Sequence, residues 1–256
     1  MPSQTDGNVV VSQRLLDEQQ NATFDTDYHT PEETANKVAF LRQHFGGRPV
    51  TLLDAGGGNG VFCDAILELF PNWQATIVDV SDLLLGQNSP DPRKRLIKGS
   101  IFEIDHLFAG EKFDVISLNW ILHHLVGNNY AASLENIRHA LRLARGFLAP
   151  NGMICIGENR YQGVGGTNLP ARLIYGLTSV ETPSIARLVA RHANTAGVGV
   201  CFQSEAAWLR LFSDVGLKEM YPRFVNRPFA ITGLKKWGLL LKTAGKVHFY
   251  LGIAQS

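Results

Sequence analysis

The sequence lacks the features that mark several broad classes of protein. Its three cysteines, Cys63, Cys155 and Cys201, lie far apart and form no CxxC pair, which argues against a disulfide framework and a cysteine-ligated zinc site. The 24 Lys and Arg residues balance the 23 Asp and Glu residues to a net charge of +1, so no charge excess points to nucleic acid. No apolar run approaches the roughly 18 residues of a membrane span, and residues 1–8 lack the apolar region of a signal peptide. These absences predict a cytoplasmic protein with no metal site, no nucleic-acid partner and no membrane span.

The sequence does contain enough apolar material for a sizeable core, since hydrophobic residues make up 45% and charged residues 18%. Apolar stretches of strand length alternate with stretches of helical periodicity. This alternation predicts an α/β fold whose parallel sheet is covered by helices on both faces. The predicted strands cover residues 50–54, 75–79, 113–118, 153–157, 217–224 and 247–254, and the predicted helices cover residues 12–21, 31–45, 61–70, 134–148, 182–192, 204–215 and 232–244.

The pattern changes after residue 159. Residues 160–200 contain no clear strand, and Gly163, Gly165 and Gly166 suggest a mobile loop. We therefore expect one domain with an insertion. Its predicted segments are an N-terminal helical lid (1–48), a cofactor-binding Rossmann-like core (49–159), a helical insertion over the active site (160–203) and a completion of the core sheet (204–256).

The strongest functional signal is a glycine-rich turn between the first predicted strand and the next helix. Its sequence is Asp54-Ala55-Gly56-Gly57-Gly58-Asn59-Gly60, and its glycines let the backbone turn tightly and approach a ligand closely. Asp79 ends the next strand, about 20 residues on, where a carboxylate accepts hydrogen bonds from both ribose hydroxyls. Ligands of open α/β sheets bind beyond the carboxyl ends of the strands, so the two features together predict an adenosine site.

Two details separate the candidate nucleotides. The third glycine of the dinucleotide fingerprint would fall at Val61 or Cys63, and no Gly-Lys-Ser/Thr of a P-loop follows. Asp54 lies two residues before the first glycine, where a carboxylate repels a diphosphate and attracts an ammonium group. These details favour S-adenosylmethionine, which has an amino-acid end, over a nicotinamide dinucleotide.

Over residues 50–157 and 204–224 the sequence resembles the class I S-adenosylmethionine-dependent methyltransferases. Residues 52–60 resemble their first motif, and residues 98–102 lie where the family has its adenine-binding segment, with Ser100 in place of the usual Asp. The resemblance implies a Rossmann-like, doubly wound, mostly parallel seven-stranded sheet with a helical lid or insertion. It implies that the cofactor is bound by Asp54, Gly56, Gly58, Asp79, Ser100, Ile101 and Asn119, with Tyr28 of the N-terminal segment closing over it.

The segment Trp120-Ile121-Leu122-His123-His124-Leu125 follows the fourth strand. It is similar to the segment that carries the catalytic histidine in plant-type small-molecule O-methyltransferases, and this similarity implies a general base at His123. Histidine suits that role because its reference pKa is about 6.5. His124 stands where those enzymes have Asp and is a second candidate, with a structural or helix-capping role as the alternative for both. Glu158 and Asn159 end the fifth strand and are candidates for substrate contacts.

These observations predict an S-adenosylmethionine-dependent methyltransferase acting on a small, partly hydrophobic molecule. O-methylation is favoured because of His123, and N- or C-methylation is left open. The alternatives are an NAD(P)-dependent oxidoreductase and an S-adenosylmethionine-binding protein of the same fold that methylates nothing. Residues 233–244 carry Leu234, Trp237 and Leu240 on one side, which is compatible with a lid, a homodimer contact or a membrane-surface helix.

Overall fold

A computed structural model of the chain describes residues 13–15, 20, 30–180, 182, 184, 187 and 195–254. The helices whose ends it defines are α1 (Pro31–Phe45), α2 (Val61–Leu69), α3 (Asp82–Leu85), α4 (Ile104–Leu107), α5 (Tyr130–Phe147), α6 (Leu169–Thr178), α7 (Glu205–Asp214) and α8 (Gly233–Gly238). The strands are β1 (Thr51–Ala55), β2 (Gln74–Asp79), β3 (Lys94–Lys98), β4 (Phe113–Asn119), β5 (Leu148–Gly163), β6 (Leu217–Glu219), β7 (Phe224–Val225) and β8 (Leu241–Ile253). Among the described residues, no helix is long and apolar enough to cross a membrane.

Three predictions lie wholly or mostly outside the described residues. They concern the helix over residues 12–21, Tyr28, and most of the helix over residues 182–192.

The strands form one eight-stranded sheet in the order β3-β2-β1-β4-β5-β8-β6, with β7 paired to β8. The strands from β3 to β5 run parallel, whereas β8 is antiparallel to β5, β6 and β7. The direction of winding reverses between β1 and β4, which is where open α/β sheets bind ligands. The prediction of a mostly parallel, Rossmann-like sheet is confirmed, and the strand beyond the predicted seven is the two-residue β7.

Successive residues of the central strands are buried on opposite faces of the sheet. Leu52 belongs to the same buried cluster as Val38 of α1, whereas Leu53 belongs to the same buried cluster as Ile137 of α5. We call these two sides of the sheet the α1 face and the α5 face. Because both faces are covered, the strands are continuous apolar runs rather than alternating ones. Polar residues become buried towards the carboxyl ends of these strands, namely Asp54, Asp79, Ser117 and Glu158.

Helix α1 begins where its capping residues predict. The Thr30 hydroxyl accepts from the Glu33 N–H at 3.2 Å, and the Glu33 carboxylate accepts from the Thr30 N–H at 2.7 Å. Pro31 occupies the first helical turn, where its missing N–H costs nothing. This reciprocal capping fixes the helix entry at the carboxyl edge of the sheet.

The later part of the chain corrects two predictions. The sequence predicts no strand in residues 160–200, yet β5 continues to Gly163 because its last residues pair with β8, and α6 was likewise not predicted. The helix predicted over residues 232–244 ends at Gly238, and β8 begins at Leu241. The apolar spacing that suggested a longer helix leaves Trp237 82% exposed. Pairing with a distant strand here overrides the local pattern.

Candidate active site

The glycine-rich turn lies between β1 and α2, at the carboxyl edge of the sheet. Gly56, Gly58 and Gly60 have φ values of 74°, 51° and 75°, in the left-handed region that favours glycine. A Cβ on Gly56 would lie 2.6 Å from Ile121, and one on Gly60 would lie 1.8 Å from Asn88. The turn therefore needs glycine both for its backbone conformation and for its close packing.

Asp79 ends β2 beside this turn, and two backbone N–H groups fix its carboxylate. Oδ2 accepts from the Gly58 N–H at 2.9 Å, and Oδ1 accepts from the Ser81 N–H at 2.9 Å. A carboxylate can accept several hydrogen bonds at once, so an oriented Asp79 suits a pair of neighbouring hydroxyls. The structure thus brings together the two parts of the predicted adenosine site.

The predicted adenine segment follows β3 and lies next to Asp79. The Gly99 N–H donates to the Asp79 carbonyl at 3.0 Å. Ser100 caps a short 3-10 turn, and its hydroxyl accepts from the Phe102 N–H at 3.3 Å, while Ile101 is buried. The Ser100 hydroxyl oxygen already accepts this capping hydrogen bond, so a hydrogen bond between Ser100 and adenine stays a prediction.

A buried pair of opposite charges lies beneath the glycine turn. Asp54 is so close that a Cβ on Gly57 would meet its carboxylate at 2.6 Å. Burial raises the pKa of Asp54 to about 6, against the opposing effects of the Lys37 ammonium group and a Ser117 hydrogen bond. Burial also lowers the pKa of Lys37, whose Nζ donates to Asn119 Oδ1 at 2.8 Å. The end of β4 is therefore tied directly to α1.

Lys37 is a site residue that the sequence motifs did not predict. It lies beside Val38 and four residues before Leu41 on the buried side of α1, so a lysine on an apolar helix face was the available signal. Lysine is almost never fully buried unless it is paired. With Asp54 nearby, Lys37 makes this pocket suitable for a group that carries one positive and one negative charge, such as a free amino-acid end.

His123 and Glu158 form a second buried pair, beyond the ends of β4 and on β5. His123 Nδ1 lies 2.7 Å from Glu158 Oε2, and the carboxylate also accepts from the backbone N–H groups of His123 and Asn159, each at 3.3 Å. Burial lowers the pKa of His123 to about 3 and raises the pKa of Glu158 to about 8. The pair is therefore neutral near pH 7. The bond at Nδ1 leaves Nε2 as the ring nitrogen for an external proton.

Aromatic rings enclose His123. Its ring centroid lies 4.1 Å from that of His124 and 4.6 Å from that of Phe202, and Phe202 lies 4.7 Å from Tyr161. Burial lowers the pKa of His124 well below its usual value, so this ring is neutral. Phe202 and Tyr161 were not predicted, because β5 extends further than its apolar run suggests and meets the segment before α7.

The predicted site residues fall into two neighbouring groups. The cofactor candidates at the ends of β1 to β4 are Asp54, Gly56, Gly58, Asp79, Ser100, Ile101 and Asn119. The catalytic and substrate candidates beyond β4 and on β5 are His123, His124, Glu158 and Asn159. Tyr28 lies outside the described residues, and within them no group of three or more His, Cys, Asp or Glu side chains could hold a metal ion.

Residues 53–154 match a family model described as a methyltransferase domain. The chain is 34% identical over 73 residues to chavicol O-methyltransferase from Ocimum basilicum, a match that covers 28% of this chain and 19% of that protein. It is 31% identical over 97 residues to trans-resveratrol di-O-methyltransferase from Vitis vinifera, covering 36% of this chain and 24% of that protein. The matches thus span less than a quarter of these curated relatives.

Among solved structures, the fold is similar to that of the N-methyltransferase NodS from Bradyrhizobium japonicum, in complex with S-adenosyl-L-homocysteine. The TM-score is 0.53 at 15% sequence identity, and the match covers 91% of this chain and 95% of that chain. At this identity the likeness concerns the fold alone.

Proposed function

We propose that the chain uses S-adenosylmethionine to methylate a hydroxyl group of a small, partly apolar molecule. Its class I methyltransferase motifs and the match of residues 53–154 to a methyltransferase domain support this proposal. The observation that carries this proposal is the buried His123–Glu158 pair. His123 lies just after β4 and Glu158 lies on β5, next to the strand ends that carry the cofactor candidates. A hydroxyl acceptor needs a proton acceptor at this place, and the pair provides one.

The residues at the strand ends fit S-adenosylmethionine along its length. Asp79 suits the ribose hydroxyls, the turn after Gly99 suits the adenine edge, and the left-handed glycines allow close approach of the backbone. Asp54 and Lys37 offer opposite charges to the ammonium and carboxylate groups of the methionine end. When bound, the cofactor supplies a methyl group already activated by a positively charged sulfur, so the protein mainly aligns the acceptor and removes its proton.

His123 acts as the general base in this proposal. In its ionised state Glu158 accepts the Nδ1–H hydrogen bond, which leaves the lone pair on Nε2 available to an acceptor hydroxyl. Once the pair has lost its last proton, the ionised Glu158 stabilises the imidazolium that forms as the hydroxyl proton moves to Nε2. His124 stays neutral and packs against the base. Phe202 and Tyr161 extend this aromatic surface, which supports an aromatic acceptor that stacks beside them.

N-methylation is the alternative reaction, and the fold likeness to an N-methyltransferase makes it worth testing. An amine acceptor can arrive neutral and needs no base. Loss of His123 would therefore leave an N-methylation rate largely unchanged, whereas it should abolish most O-methylation.

The test is formation of S-adenosylhomocysteine with phenols, including an allylphenol and a hydroxystilbene, and with amines of matching skeleton. We expect turnover of phenols by the wild type and little by His123→Ala. Turnover of amines alone, retained in His123→Ala, would replace O-methylation by N-methylation. If calorimetry detects binding of neither S-adenosylmethionine nor S-adenosylhomocysteine, the methyltransferase proposal fails.

We also propose a cytoplasmic location and a small-molecule partner. The three cysteines are buried and form no disulfide, which fits a reducing compartment. A homodimer contact through α8 stays a prediction, and light scattering of wild type and Trp237→Ser tests it directly.

A further inference from the structure

Trp120 has a backbone conformation that is rare for a bulky residue. Its φ is 52°, in the left-handed region that favours glycine. Such conformations persist only where the surrounding structure holds them, and they cluster at functional sites. The Trp120 N–H donates to the Gly157 carbonyl at 2.7 Å, which pins the residue to the strand that carries Glu158.

The chain on either side of Trp120 leads to both halves of the active site. Asn119 precedes it and accepts the Lys37 hydrogen bond. Ile121 follows it and fills the space above Gly56. The short turn of residues 122–124 then carries His123. The path of the backbone at Trp120 therefore decides where the base stands relative to the glycine turn.

The Trp120 ring packs against two side chains of β8. Lys246 Nζ lies 4.9 Å from the ring centroid, and the His248 ring meets it edge-on at 5.8 Å. Lys246, His248 and Tyr250 are spaced two residues apart on β8, so their side chains share one face of the sheet. This is the α1 face, because Tyr250 belongs to the buried cluster on that side. A Cβ on Gly157 would lie 3.1 Å from His248 Nδ1, so glycine at this position leaves room for the imidazole beside β5.

Glu33 of α1 binds this pair of side chains from above. It is fully buried, and its carboxylate lies 3.3 Å from Lys246 Nζ, 3.5 Å from His248 Nε2 and 2.7 Å from the amide nitrogen of Asn226. Burial acts to raise its pKa, but hydrogen bonds from His248, the Thr30 N–H and Asn226 hold that pKa well below its usual range. Glu33 is thus an anion that is held in place from several sides.

We propose that Trp120 is a positioning residue for the base His123, and that helix α1 sets its position through Glu33, Lys246 and His248. The inference rests on the proposed role of His123. Because Lys37 lies one turn after Glu33 on the same helix, docking of α1 supplies a charge to the cofactor pocket and fixes the turn that carries the base. One helix thereby links the cofactor half of the site to the acceptor half.

Trp120→Gly tests the core of this proposal. Glycine adopts the left-handed conformation without strain, so the backbone requirement is met while the ring contact with β8 is lost. We expect kcat to fall about tenfold to hundredfold, the range that misplacement of a catalytic group produces, with the affinity for S-adenosylhomocysteine within about twofold of wild type. Leu240→Gly is the control, because Leu240 also has a positive φ of 51° and lies outside the proposed site.

The proton that His123 Nδ1 shares with Glu158 gives a readout that needs no acceptor. In NMR spectra of the protein bound to S-adenosylhomocysteine, we expect this low-field signal to shift or broaden in Trp120→Gly and to stay in place in Leu240→Gly. A folded Trp120→Gly with wild-type kcat and an unchanged signal would overturn the proposal. Parallel losses of kcat and cofactor affinity would overturn it too, by assigning Trp120 to cofactor binding.

Glu33→Gln tests the α1 end of the connection. Glutamine at this position keeps the capping box but removes the charge that faces Lys246 and His248. We expect the same change in the His123 signal and a fall in kcat of about threefold to tenfold, since coupling through intermediate residues is weaker than direct contact. Glu32→Gln, exposed in the same turn, is the matched control. An unchanged His123 signal in Glu33→Gln would exclude α1 from the mechanism.

The His123→Ala variant tests the proposed role of His123 as base independently of the Trp120 and Glu33 variants. If His123→Ala binds S-adenosylhomocysteine and methylates phenols at the wild-type rate, His123 is not the base. The NMR comparison still decides whether Trp120 and Glu33 position the His123 ring.

Discussion

Two buried glutamate–histidine pairs lie on opposite faces of the sheet, and their surroundings give the two glutamates different charge states. On the α5 face, burial raises the pKa of Glu158 to about 8 and lowers that of His123 to about 3, so the pair is neutral near pH 7. On the α1 face, hydrogen bonds hold the pKa of Glu33 well below its usual range beside His248, although Glu33 is also inaccessible to solvent.

The comparison indicates that the donors around a solvent-inaccessible carboxylate help to decide its role, together with the depth of its burial. Glu158 accepts hydrogen bonds from one imidazole and from backbone N–H groups. Glu33 also faces the ammonium group of Lys246 and the amide of Asn226, at the positive end of a helix. A neutral pair can release its proton and then accept another, so it suits a base. A carboxylate fixed as an anion suits an anchor.

The largest expected difference between the pairs is in catalysis. His123→Ala should lower kcat about 10²- to 10⁴-fold, the usual contribution of a general base, while calorimetry should show unchanged affinity for S-adenosylhomocysteine. His248→Ala should lower kcat by less, because it acts only through the position of Trp120. A larger loss for His248→Ala than for His123→Ala would reverse the assignment of base and anchor.

The pH dependence of kcat should come from the α5 pair. Burial raises the pKa of Glu158 to about 8, so loss of the last proton from the pair produces the working base. The rate should therefore rise with pH and level off above about pH 8. Glu158→Gln removes this titration, and the variant should be slower with a flat profile between pH 6 and 9. A profile that still rises near pH 8 in Glu158→Gln would assign the ionisation to another group.

The two glutamates should also change stability in opposite directions. The folded pKa of Glu33 lies below its ordinary value of 4.5, so its contribution is present above that pH and is lost as pH falls. The folded pKa of Glu158 lies above 4.5, so its contribution is lost as pH rises towards 8. At pH 8, urea unfolding should show Glu33→Gln less stable by about 1.5–3 kcal/mol, the scale of a hydrogen bond to a charged group, and Glu158→Gln more stable than wild type.

Glu32→Gln controls for the loss of a charge on α1, since this carboxylate is exposed in the same turn. Below about pH 4, Glu158 is protonated in both the folded and the unfolded chain, so the stability difference of Glu158→Gln should approach zero. The difference of Glu33→Gln should only begin to shrink there, because the folded pKa of Glu33 lies well below 4.5. The same sign of change for Glu33→Gln and Glu158→Gln at pH 8 would contradict the contrast between the pairs.

Local signals predicted most of the fold. The apolar runs predicted β1, β2 and β4, because strands covered on both faces need continuous apolar sequence, and the capping residues at Thr30 predicted the start of α1. Strand β3 was not predicted, because its sequence Lys94–Lys98 is mostly polar and only partly buried. Two further errors fall where β5 and β8 pair over residues 154–163 and 241–251. Each of these strands extends because of a partner about 90 residues away, which a local pattern does not contain.

The candidate site also has one part that local motifs predict and another part that only contacts between distant elements form. The glycine turn and Asp79 are predictable because a short motif and a fixed spacing define them, and the structure joins them through a 2.9 Å bond. Lys37, Phe202 and Glu33 were missed. Their partners lie on other elements, so only the folded chain shows what they contact.

The smallest effect expected is from Lys246→Met, which separates charge from packing in the α1 pair. Methionine keeps an unbranched side chain near the Trp120 ring but removes the ammonium group that faces Glu33 at 3.3 Å. Loss of the cation–π contact should lower the free energy of unfolding by about 0.5–1 kcal/mol, measured against Lys242→Met, an exposed residue of the same strand. If the Lys246→Met variant matches Lys242→Met in stability, Asn226 and the first turn of α1 suffice to keep Glu33 ionised, and the contrast between the two pairs then comes from hydrogen bonds rather than from a neighbouring charge.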